Sequence, residues 1–130
     1  MTCQFLLMLT RHDRTVPKAR ALAEKALSAG IRHIGFKDVG LAPSELTSLV
    51  EAIRSARGTV YLEVASLDEP TEVASAQLVV SLGVDHLLGG TRPELVIPIS
   101  LRNGDLVLAL CWYGRGPPNS ALWVPRGDRQ

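Results

Sequence analysis

The sequence predicts an α/β fold, a partial (β/α)8 barrel whose first four βα units carry parallel strands. Three observations predict it. Short, continuous apolar runs begin at residues 4, 31, 59 and 84, about 25 to 28 residues apart, a spacing that suits βαβ units with short connections. The first three runs are each followed by a polar loop and then by apolar residues at helical spacing. Gly30, Gly58 and Gly83 close those stretches just before the next run, where a residue in the left-handed conformation ends a helix.

Each element has its own justification. Residues 4–10 (QFLLMLT) are apolar on both faces, as a strand buried in a parallel sheet requires. The polar loop Arg11-His12-Asp13-Arg14 follows, with Thr15 as an N-cap and Pro17 near the first helical turn. Val16, Ala19, Leu22, Ala23, Ala26 and Leu27 form that helix's stripe. Residues 31–36 are the second strand, and Lys37-Asp38-Val39-Gly40 is its loop. Pro43 opens the second helix, whose stripe is Leu46, Leu49, Val50 and Ile53. Residues 59–64 make the third strand, 66–69 its loop and 70–82 the third helix. Residues 84–88 are the fourth strand, followed by Gly89-Gly90-Thr91; a short helix near Pro93 is limited by Pro98. An open, doubly wound sheet would satisfy the same alternation. No GxGxxG follows the first strand, which argues against a dinucleotide-binding sheet.

Beyond Pro98 lysine and glutamate disappear, and both tryptophans occur there. Residues 105–113 (DLVLALCWY) offer a fifth strand, whereas 115–130 show no periodicity and read as irregular and partly disordered. The chain thus divides into a half barrel, residues 1–98, and a divergent tail, 99–130. A whole barrel usually takes about 250 residues. Two readings of the tail stay open: a natural divergent C-terminus, or a frame disruption. Codons exist for residues 103–118 whose next frame reads TGIWYWPFVGTVVGHP, a strand with a glycine-rich loop behind it.

Composition bounds the function. A chain of 130 residues builds one ordinary core, and 46% hydrophobic with 21% charged residues is globular. A net charge of +1 gives no electrostatic case for nucleic acid or anionic membrane as a partner. Cys3 and Cys111 lack CxxC spacing and read as reduced thiols. The apolar run 5–9 is too short for a signal peptide or a membrane span, so a cytoplasmic location is the expectation. No His and acid spacing matches a metal-ligand set, and no cofactor is expected.

In such barrels the working groups sit at the C-terminal ends of strands. That rule selects Thr10, Arg11 and Asp13, then Lys37 and Asp38, Glu63, and Gly89, Gly90 and Thr91. Glu63 interrupts the apolar strand Val60-Tyr61-Leu62-Glu63-Val64, and alternation turns it away from the helices. Lys37 ends the second strand on the face opposite Ile34 and Phe36. The two would form an ion pair at the mouth, read either as a structural salt bridge or as a site. In a site, Lys37 would be an electrophile or Schiff-base amine and Glu63 a general base or its orienter. Asp13 and Asp38 are candidate proton carriers, although aspartates in such loops also cap turns. Thr10 and Arg11 with the Gly89-Gly90-Thr91 turn are candidates for ligand binding, the turn through its backbone N–H groups. His33 and His86 fall near strand starts, the end associated with stability.

The segments FLLMLTRHDRTV (residues 5–16), IRHIGFKDVGL (31–41), YLEVASLD (61–68) and GVDHLLGGTRPE (83–94) resemble the N-terminal half of phosphate-binding TIM barrels. Those are related to histidine-biosynthesis isomerases, hexulose-phosphate synthases and phosphogluconate-type aldolases, and the closest likeness is to a bacterial branch of them. The likeness covers roughly residues 4–97 and implies a lyase or isomerase acting on a small phosphorylated sugar or keto acid. The phosphate site of such barrels usually follows strands seven and eight, so a chain with half the units is expected to be inactive alone. The alternative is a non-catalytic half barrel that self-associates through exposed sheet edges or pairs with another half barrel.

Overall fold

The computed structural model describes residues 5–64 and 69–88 and the strands at 107–110 and 122–123. In chain order these are β1 (Leu6–Met8), β2 (Thr10–Arg11), β3 (Arg14–Thr15), α1 (Ala19–Ser28), β4 (His33–Lys37) and α2 (Pro43–Ser55). Then follow β5 (Thr59–Glu63), α3 (Glu69–Leu82), β6 (His86–Leu88), β7 (Val107–Leu110) and β8 (Leu122–Trp123). The main sheet has the order β1-β4-β5-β6-β7-β8. Its first five strands are parallel, and β8 runs antiparallel to β7. The molecule is therefore an α/β protein built on a parallel sheet. Each strand lies beside its predecessor in that sheet, without the reversal of order that a doubly wound sheet needs. Right-handed crossovers in one direction put the described helices, α1 to α3, on one face. Accordingly, α1 packs on α2 and α2 on α3.

The helices end by one device. After α1, Gly30 takes φ +96°, its N–H reaching Leu27 O at 3.1 Å while the Ile31 N–H reaches Ala26 O at 3.0 Å. This pair of bonds is the Schellman arrangement. Gly83 repeats it after α3, with bonds to Val80 and from Val84 to Val79. After α2 the left-handed residue is Arg57 (φ 61°), not Gly58 as the glycine pattern suggests. Gly58 serves packing instead: a Cβ there would lie 2.6 Å from Ile53 Cγ2 and 3.0 Å from Leu27 Cδ2.

Two expectations at the start of the chain need correction. Thr15 does not cap α1, which begins at Ala19 with Lys18 before it. Instead, the loop Arg11–Arg14 is an antiparallel hairpin in which Thr10 pairs with Thr15 and Arg11 with Arg14. Its two turn residues, His12 (φ 51°) and Asp13 (φ 58°), both take positive φ, the signature of a type I′ turn. Leu22, placed in the α1 stripe, is 44% exposed, whereas Ala19, Ala23, Ala26 and Leu27 are buried. The α2 stripe is buried as expected: Leu46, Leu49, Val50 and Ile53. In the tail, β7 falls inside the expected fifth strand. The two-residue β8, by contrast, forms where the sequence shows no strand signal.

Alternation divides the sheet into two faces. Ile34, Phe36, Val60, Leu62, Val64 and Leu87 are buried toward the helices. Full burial of a side chain such as Phe36 stabilises by roughly 1.5–3 kcal/mol. The other face carries His33, Gly35 and Lys37 of β4, Tyr61 and Glu63 of β5, and His86 and Leu88 of β6. The N-terminal end of the sheet is closed by polar clamps. Asp85 accepts the Val60 N–H at 2.9 Å, and the Arg54 guanidinium bonds both Gly83 O and Asp85.

Candidate functional site

Lys37 and Glu63 are the last residues of adjacent parallel strands and stand directly opposite each other in register. Both project from the face turned away from the helices. The Lys37 side chain is only 10% exposed; its Nζ lies 3.6 Å from Glu63 Oε1 and 2.9 Å from Asp13 Oδ1. Thus three of the expected site residues meet at the C-terminal rim of the sheet, one ammonium between two carboxylates. Asp13 reaches in from the hairpin turn with its own side chain 93% exposed, while that of Glu63 is 32% exposed.

The cluster's protonation follows from this geometry. Burial pulls the Lys37 ammonium down, but the Asp13 hydrogen bond and the charges of Glu63 and Asp13 outweigh it, so its pKa lies above the ordinary 10.5. Hydrogen bonding and charge from Lys37 hold the Asp13 carboxyl below its ordinary 3.8. At neutral pH the lysine is therefore an ammonium, a donor suited to an oxygen gaining negative charge. It becomes an amine nucleophile only where its carboxylate partners are withdrawn or neutralised.

Lys37 is also held by its backbone. Thr15 is 2% exposed, and its hydroxyl donates to Lys37 O at 2.8 Å and accepts the Lys37 N–H at 2.9 Å. Behind it, the Thr15 N–H donates to Val39 O at 2.9 Å. Gly40 (φ +110°) passes so close that a Cβ would lie 2.5 Å from Thr15 O. Sequence reasoning missed Thr15 as part of the site because a threonine before Pro17 also reads as a helix cap.

The other expected residues are placed differently. Thr10 and Arg11 form β2, with Thr10 half-buried and Arg11 exposed. Asp38 accepts a hydrogen bond from the buried Ser75 hydroxyl, which ties the loop after β4 to α3. Gly89, Gly90 and Thr91 lie outside the described residues, as do Cys3 and Cys111. One layer below the rim, Tyr61 stands between the two histidines. Its hydroxyl is 3.0 Å from His33 Nδ1, and its ring stacks on His86 with centroids 4.5 Å apart. Burial and the Asp85 charge push the Tyr61 phenol up, so it stays protonated at neutral pH. The period-two alternation that places Glu63 away from the helices carries the signal for Tyr61 as well.

Two open grooves lie elsewhere. One of ≈ 660 Å³ runs between α1 and α2, lined by Arg20, Glu24, Arg32 and Glu51; one of ≈ 240 Å³ continues it toward Pro17 and Leu41. Both belong to the helical side, so neither is the recess of the Lys37 cluster. Among the described residues no group of three His, Cys, Asp or Glu side chains is arranged to hold a metal ion. No helix among them is long and apolar enough to cross a membrane. No protein-family model matches the chain, and no curated protein does.

Proposed function

We propose that the chain is part of a (β/α)8-type lyase or isomerase acting on a small phosphorylated sugar or keto acid, with Lys37, Glu63 and Asp13 as its acid–base cluster. The observation that carries this reading is the buried ammonium at the strand-end rim, 2.9 Å and 3.6 Å from two carboxylates. The sequential, one-directional strand order supports the barrel type. Barrel enzymes put their chemistry at this end of the strands. Enolisation, isomerisation and aldol cleavage share one need: a base for a proton beside a carbonyl, and a cation for the oxygen that becomes an enolate. Glu63 suits the first role, and Lys37 in its ammonium form the second. Asp13 keeps Lys37 charged.

The partial reaction that needs only these groups is exchange of the proton beside the carbonyl. In D2O, a panel of small phosphorylated ketoses and 2-keto acids should include one whose exchange is accelerated. Lys37→Ala and Glu63→Ala should each abolish the acceleration. If no member of the panel exchanges faster with the chain than without it, the enzyme reading is lost.

The second reading is a non-catalytic half barrel that associates with another copy. One observation favours it: among the described strands β1 is an edge of the sheet, and Phe5, immediately before it, is 65% exposed.

A further inference from the structure

Lys37 draws its charged partners from two places, Glu63 on the neighbouring strand and Asp13 on the hairpin β2–β3. Glu63 is fixed by sheet register, since its strand pairs with β4 along five residues. Asp13 has no such support. Its side chain is almost wholly exposed, it sits at the tip of a two-residue turn, and both turn residues hold positive φ. For non-glycine residues that conformation is unfavourable and persists only where the surroundings over-determine it. What holds this hairpin over the lysine is therefore a question with a local answer. The Thr15 hydroxyl bonds both backbone groups of Lys37, and the Thr15 N–H bonds Val39 just beyond it. The fit is closed from behind by Gly40, whose missing side chain leaves room for the Thr15 backbone.

We infer that Thr15 is a positioning residue for the Lys37 ammonium: its hydroxyl docks the hairpin on the end of β4 and so sets the Asp13 carboxylate against Nζ. Thr15 touches no reacting atom. It acts through the placement of Asp13, two residues away, which reaches the same lysine from the other side. A bland alternative exists, in which the hydroxyl merely satisfies two backbone groups at a strand end. The two differ in what happens to the lysine. A purely structural threonine would change stability and leave the protonation of Lys37 alone.

The inference rests on Lys37 being the working group, but its readout is the unliganded chain's own titration. The experiment follows Lys37 in the full chain by the pH dependence of its modification with an amine-reactive reagent, read by mass spectrometry. Asp13→Asn sets the scale: removing the carboxylate lowers the lysine's midpoint and speeds its modification several-fold at a fixed pH below that midpoint. Thr15→Val keeps the shape and loses the hydroxyl; its midpoint should fall toward that of Asp13→Asn. Thr15→Ser restores the hydroxyl and should titrate like the parent. Gly40→Ala reaches the same hairpin without touching the hydroxyl, because its Cβ would lie 2.8 Å from Thr15 N and 2.5 Å from Thr15 O. It should lower the midpoint as well, and it serves if the valine variant does not fold. A folded Thr15→Val or Gly40→Ala chain whose Lys37 titrates like the parent overturns the inference. Failure of the proton-exchange assay would remove the proposed function and leave this result standing, so the two are separable.

Discussion

At the scale of the residue, Lys37 decides most, because it is a nearly buried charge with two water-reachable partners. Burying an ion pair is costly, and its mutual attraction offsets that cost only in part. Removing the ammonium leaves Asp13 and Glu63 with 93% and 32% of their side chains exposed, so neither carboxylate becomes a buried orphan. Lys37→Met should accordingly change the stability by no more than about 1 kcal/mol in urea at neutral pH, while removing any carbonyl chemistry. The pH dependence has a definite sign. Asp13 titrates lower in the folded state, so its contribution is present above 3.8 and is lost as pH falls through the depressed folded value. Lys37 titrates higher, so its contribution is present below 10.5 and is lost as pH rises through the raised folded value. Parent and variant should run parallel between those limits, the parent losing stability relative to the variant outside them. Parallel curves into strong acid and strong base would contradict the pairing. The Lys37–Glu63 juxtaposition is legible in the sequence, because period-two alternation and strand ends need only local information. Asp13's approach was not, since it depends on a turn whose usual Asn-Gly or Asp-Gly marker is replaced by His12-Asp13.

Individual elements show where local sequence is sufficient and where it is not. The α2 helix was readable in outline: Pro43 at its start, four apolar residues at helical spacing, and a stop near Gly58. Its end still differs by one residue, because Arg57 takes the left-handed position and Gly58 is needed for close approach to Ile53 and Leu27. Glycine marked the right neighbourhood for a different physical reason. The N-terminus of α2 carries half of a capping box. Glu45 Oε2 accepts the Ala42 N–H at 2.8 Å, but alanine has no side-chain oxygen for the first-turn amides, of which the Glu45 N–H meets only the Ala42 carbonyl, at 3.0 Å. The Ala42 backbone is already extended (φ −68°, ψ 156°), as an N-cap should be, and the residue is exposed. Ala42→Ser should therefore complete the box without strain and raise stability by about 1 kcal/mol, measured by urea unfolding. An unchanged unfolding midpoint would mean that the bond from the Glu45 N–H to Ala42 O already suffices at this end of the helix. The hairpin and β8 were illegible for a shared reason. Two-residue strands carry too little periodicity to be read, and they exist only through the partners they meet in space.

For the whole molecule, the repeated module was legible because every copy combines an apolar run, a helical stripe and a terminal glycine. Among the described residues the sheet has one helical layer and one face without helices, and its strands leave β1 paired on one side only. Edge strands template further pairing unless they are short, charged or covered. Here β1 is short, which protects it, but it contains no charged residue and is preceded by an exposed aromatic. Phe5 and Leu22 are the exposed large hydrophobics among the described residues, and only Phe5 adjoins a strand. A phenylalanine has roughly 150–250 Å² to bury, enough to make the edge an adhesive one when a second copy supplies the other side. The chain should thus elute larger than a monomer at high concentration and shift toward monomer on dilution. Phe5→Lys places a charge at the edge and should move the equilibrium to monomer without altering the circular dichroism spectrum. If Phe5→Lys and the parent associate identically, the contact lies away from the β1 edge. A parent that stays monomeric at every concentration would discard the half-barrel pairing altogether and leave the rim cluster as the only functional reading.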